Sequence, residues 1–101
     1  MITLDEVNII EGDTTATTLQ YYEAIQKAIN TGMWGMQGSY GRTMMAAINE
    51  GYCMLGENDT HDYWGNHIPS RDQVKAGTKG SFDFVAEQCG EGWAIHMGEV
   101  Q

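Results

Sequence analysis

Apolar side chains recur along residues 39–51, SYGRTMMAAINEG, at Tyr40, Met44, Ala47 and Ile48. That spacing of i, i+4, i+7 and i+8 gathers them on one face of a 3.6-residue helix, with Ser39 placed as N-cap and Gly51 as the stop. A helix is therefore predicted over about 40–50. The same period links Tyr22, Ile25 and Ile29. Thr17-Thr18-Leu19-Gln20 supplies a Thr cap with Gln at the third position, and Gly32 ends the pattern, which predicts a helix over 18–31. Between the two lies MWGMQG, residues 33–38. Its Met33, Trp34 and Met36 suit a tight helix-to-helix connection that plugs the end of a core, whereas an open Trp-Met patch there would mark a partner site.

Beyond Gly51 the periodicity shortens. Tyr52 to Leu55 reads as a buried strand or apolar turn, and Trp93, Ile95 and Met97 alternate with Ala94 and His96, the period of a half-buried strand able to pair with it. Ser70-Arg71-Asp72-Gln73 has a capping signature that predicts a short helix over 71–76, before Gly77. Ser81 caps a further helix, 82–89, in which Phe82 and Val85 or Ala86 share a face with Cys89, and Gly90 stops it. At the start, Thr3-Leu4-Asp5-Glu6 forms a capping box for a helix to about Glu11, followed by a Gly12-Asp13 turn; an edge strand through Ile2, Leu4 and Ile9 is the alternative. The sum is an α+β fold in a single small domain, 1–101, mostly helical: a helical hairpin plus short helices, with a small two-stranded β element. Its expected core is Tyr22, Ile25, Ile29, Met44, Ile48, Leu55, Phe82, Val85, Trp93 and Ile95.

With 101 residues and 42% hydrophobic content the chain can bury one core without disulfides or metal. The longest apolar run is too short to cross a bilayer, and the start lacks the pattern of a secretory signal, so a soluble, cytoplasmic protein without membrane attachment is expected. Cys53 and Cys89 lie in apolar neighbourhoods without a CxxC spacing and read as buried free thiols.

Charge changes the picture most. Fourteen acidic against five basic side chains give a net −9, which repels phosphate backbones and attracts cationic surfaces. Direct nucleic-acid binding is disfavoured on that ground, although acidity also serves simply to keep a small domain dissolved. Asp5, Glu6, Glu11, Asp13 and Glu23 fall in the first 24 residues without a cation, and Arg71, Lys75 and Lys79 form the one basic cluster.

Candidate chemistry concentrates in 56–69, GENDTHDYWGNHIP, a segment long enough for a functional loop. An enzyme would draw on His61, Asp62 and His67, since a carboxylate beside an imidazole orients a general base, but a His-x5-His pair matches no standard zinc pattern, and neither metal nor cofactor is expected. Cys53 is a poor nucleophile in its apolar run. Gly77-Thr78-Lys79-Gly80-Ser81 offers a second possibility: a glycine-rich turn opening a helix, with Arg71, Lys75, Lys79 and Ser81 as phosphate ligands of a nucleotide-binding sponge, against the plainer reading of a turn between helices. The third is a contact surface in which Glu57, Asp59, Asp62 and the pair Tyr63-Trp64, flanked by Asp5, Glu6, Glu11 and Asp13, meet a basic partner.

In size, in charge and in having no catalytic motif, the chain resembles the small phage-encoded inhibitors of bacterial defence systems called anti-CRISPR proteins. The resemblance implies a non-catalytic protein that blocks a basic surface of a host protein or ribonucleoprotein complex, in the host cytoplasm. Such inhibitors share no common fold, so it carries over neither architecture nor site residues.

Overall fold

The computed structural model describes residues 9–10, 17–35, 38–62 and 64–100. Helix α1, Thr18–Asn30, begins at the expected capping box: Thr17 Oγ1 accepts from Gln20 N at 3.1 Å, and Thr17 N donates to Gln20 Oε1 at 2.8 Å. A 3-10 turn, Met33–Gly35, leads into α2, Gly38–Asn49. Trp34 is buried in this connection, as the plug reading expects. Helix α2 ends where Tyr52 N and Cys53 N both donate to Ala47 O, at 3.0 and 3.3 Å. Gly51 turns the chain with φ 82, and a Cβ there would lie 2.6 Å from Gln88, so both backbone and space demand glycine.

Residues 53–55 then run as an extended strap between two apolar clusters. Cys53 and Leu55 join Ile25, Ala28, Ile29, Trp34, Met44, Ala47 and Ile48 in the first. Met54 points the other way and joins Val85, Ala94 and Met97 in the second. The alternation is that of a strand, but no strand among the described residues pairs with it. Its backbone is satisfied instead by Gln26, whose fully buried amide donates to Met54 O and accepts from Met54 N, each at 2.9 Å. Leu55 N donates to Gly80 O at 3.0 Å, and Arg71 Nε donates to Leu55 O at 2.8 Å. Leaving a buried amide group unpaired costs about 1–3 kcal/mol, so these partners are what allow a lone extended segment to sit inside the fold.

The second cluster is closed by α3, Phe82–Cys89, and α4, Glu91–Glu99. Helix α3 has the predicted bounds, with Ser81 Oγ accepting from Phe84 N at 3.1 Å. Helix α4 overturns the predicted strand at 93–97. Ala94 and Met97, three apart, are both fully buried, while Ile95 is 45% exposed, which is a helical and not an alternating pattern. The two segments expected to pair as strands do meet, but through a side chain: Trp93 Nε1 donates to Tyr52 O at 2.8 Å. Around that bond Tyr22 and Tyr52 stack at 4.2 Å, with Trp93 edge-on to both at 6.2 Å. Burial first, then the neighbouring Tyr52, pushes the Tyr22 hydroxyl up to about 12. Phe82 and Ile95, expected in the core, are exposed instead; on α4 it is Ala94 and Met97 that turn inward, which leaves Ile95 outside.

The β element lies elsewhere than predicted. Strands β1, Thr60–His61, and β2, His67–Ile68, pair antiparallel, with Thr60 opposite Ile68 and His61 opposite His67. The helix predicted over 71–76 is a set of turns. Ser70 N donates to Gln73 Oε1 at 2.9 Å, half of the expected capping box, but Gln73 N returns to Ser70 O and Arg71 N is drawn to Gly56 O. So short a segment before Gly77, φ 86, cannot recover the cost of helix nucleation. Ile9 and Ile10 are helical, and Ile10 packs on the first cluster. The capping box at Thr3, the Gly12-Asp13 turn, the acids Asp5, Glu6, Glu11 and Asp13, and the residues Met36 and Tyr63 lie outside the described residues, and Ser39, expected as an N-cap, falls within α2 instead, which begins at Gly38.

Candidate interaction groove

Asp62 organises the tip of the β hairpin. Its Oδ1 accepts from Trp64 N at 2.9 Å and Asn66 N at 2.8 Å, its Oδ2 accepts from Asn66 Nδ2 at 3.1 Å, and its own N donates to Asn66 O at 2.9 Å. Partial desolvation pushes this carboxyl up, and the hydrogen bonds from Asn66, Trp64 and Gly65 more than offset it, holding the group below the usual carboxylate range. At the base of the hairpin His67 Nε2 meets Asp59 Oδ2 at 2.9 Å, and that bond holds the Asp59 carboxyl low as well.

The turn so fixed presents Trp64 at 73% exposure, the most open large apolar side chain described. Beneath it the hairpin and α2 leave a groove of about 210 Å³ lined by Trp34, Gly41, Arg42, Met45, Asp62, Trp64 and Ile68. Trp34 is its buried floor, Met45 is 40% exposed, and Asp62 and Arg42 are its two charged groups. Asp62 and Trp64 were expected at a contact surface and are brought together here. Glu57 and Asp59 are exposed on the approach to the hairpin without lining the groove. Gly41, Arg42 and Met45 were not foreseen. Their signal was Met45 itself, an apolar residue lying outside the stripe of Met44, Ala47 and Ile48.

The other candidate chemistries find different surroundings. His61 and His67 face each other across the strands with ring centroids 5.8 Å apart, while Asp62 is engaged by the turn. Among the described residues no group of three His, Cys, Asp or Glu is placed to hold a metal ion. Cys53 Sγ donates to Tyr22 O at 3.5 Å, and burial pushes its thiol far above the ordinary range, so it does not supply a thiolate. Cys89, half-buried rather than buried, is raised in the same way. In the 77–81 turn, Gly77 N donates to Ser81 Oγ at 3.1 Å, Thr78 N to Lys75 O at 3.0 Å and Ser81 N to Thr78 O at 3.0 Å. Those N–H groups are occupied within the turn. Arg71 is half-buried as a brace, bonded to Leu55 O and, at 3.3 Å, to Asn30 Oδ1, and desolvation lowers its pKa. Lys75 and Lys79 remain as exposed cations beside the turn.

Compared with known proteins, the chain matches no family model, no curated sequence and no solved structure. No described helix is long and apolar enough to cross a membrane.

Proposed function

We propose that the chain is a non-catalytic binding protein, an inhibitor of the phage type that blocks a basic surface of a host nucleic-acid-handling or defence complex in the cytoplasm. The observation that carries this reading is Trp64, 73% exposed on a turn that hydrogen bonds hold in place, in a chain of net charge −9. An exposed indole on a turn whose backbone is already held requires little backbone ordering on binding and supplies the desolvated contact that long-range charge alone does not. The carboxylates steer the encounter with a cationic surface and repel free nucleic acid. Glu57 and Asp59 supply the near charge, and Asp5, Glu6, Glu11 and Asp13 add to the field in this reading.

The test is affinity capture from bacterial lysate at low and high salt, with identification of what is retained. Basic nucleic-acid-binding proteins should be enriched at low salt. Glu57→Lys should slow their association in a salt-dependent way, and Trp64→Ala should speed their release. Retention of nothing basic, or binding indifferent to both substitutions, would overturn the proposal.

A further inference from the structure

Gly41 sits in the interior of α2, where glycine is unfavourable relative to alanine. Nothing among the described residues requires it. Its φ is not positive, and a Cβ built there meets no atom within 4 Å. The open space beside it is the groove beneath Trp64. A helical glycine that no described residue requires is explained when another chain approaches the helix backbone at that point.

The size of the groove narrows what approaches. About 210 Å³ lies below the range of roughly 300–1,000 Å³ usual for small-molecule sites, and it suits one large side chain. Its floor and walls, Trp34, Met45, Ile68 and Trp64, are apolar. The single cation on its rim, Arg42, can lie over an aromatic face, whereas the hairpin side carries Asp62 with Asp59 and Glu57 nearby in the chain. Net charge −9 favours a segment with positively charged side chains around that one. Resting on the reading of the chain as a binder of basic surfaces, we infer that the groove is a socket for one large apolar side chain, aromatic for preference, projecting from a Lys- or Arg-rich segment of the partner protein, and that Gly41 keeps the socket open.

The probes are capped peptides Lys-Lys-X-Lys-Lys, with X as Gly, Leu or Phe, and their neutral counterparts with Ser in place of Lys. Binding is followed by NMR through the indole N–H signals. The Phe peptide should bind about tenfold more tightly than the Gly peptide and shift the signals of Trp34 and Trp64. The Trp93 signal, tied to Tyr52 O, should stay in place and serves as an internal reference. Gly41→Leu fills the socket and should erase the preference for Phe without lowering the melting temperature. Asn49→Leu, the same side chain at an exposed position of α2 outside the groove, should keep it. Trp64→Ala, which removes a wall, should weaken it independently of any change at position 41. Equal binding of Phe and Gly peptides, or an undiminished preference in Gly41→Leu, overturns the socket while leaving the basic-partner reading intact. A neutral Phe peptide that binds as well as the lysine one upholds the socket and overturns the basic partner. Absence of binding by every peptide overturns both.

Discussion

Asp62 carries a charge that the sequence invites one to assign to a partner, yet its oxygens are already engaged by Trp64 N, Asn66 N and Asn66 Nδ2. Reversing its charge would therefore test the turn before it tested electrostatics; Glu57 lies outside the turn and serves the second purpose once the melting temperature of the variant shows that Arg71, whose charge it faces, still braces the strap. The carboxyls of Asp62 and Asp59 are both held below the ordinary value, so their folded pKa values lie under the unfolded one of about 3.9. Groups shifted in that direction stabilise the ordered hairpin above the unfolded value and lose that contribution as pH falls through the folded one. The amide signals of Trp64 and Asn66 should accordingly move toward disordered positions as pH is lowered from about 5 to 2, ahead of those in α1 and α2. Hairpin signals that stay constant to the bottom of that range would show that the carboxylates do not hold the turn.

Between elements, burial decides what each apolar side chain contributes. Ile48, 3% exposed in the first cluster, should lose about 2–5 kcal/mol of unfolding free energy on substitution by Ala. Ile95, 45% exposed on α4, should change it by less than about 0.5 kcal/mol. Urea unfolding of the two variants distinguishes them, and equal losses would mean that α4 is rotated. The contrast also marks how far the sequence could be read. Helices α1, α2 and α3 were legible because their caps and stops are local: Thr17 with Gln20, Gly51, and Ser81 with Phe84. The strap was legible as a buried extended stretch, but its pairing and the helix α4 were misread, because an alternating pattern does not say who will satisfy the backbone. The answer came from Gln26, 28 residues away, and Arg71, 16 residues away. The β hairpin has two residues per strand, too few for alternation to show. Half of the groove was visible as aromatic and acidic loop residues, while Gly41, Arg42 and Met45 lay on what reads as the solvent side of α2.

At the scale of the whole molecule, the strap gives the fold an unusual wiring. Cys53 and Leu55 belong to one cluster and Met54 to the other, and Gln26 of α1 holds the segment from within. Opening either cluster disturbs a segment that the other also grips, so the two are expected to melt together. Native-state hydrogen exchange should show this directly: the Met54 amide, although outside any helix or sheet, should exchange only through global unfolding, at the same free energy as the slowest amides of α1 and α2. Gln26→Leu removes both bonds to Met54, should lower that free energy by about 2 to 6 kcal/mol, and should split a single unfolding transition into two. A Met54 amide that exchanges as fast as those of the surface turns would mean that the clusters open independently. One side-chain amide thus contributes to cooperativity in this chain, acting where a neighbouring strand would ordinarily stand.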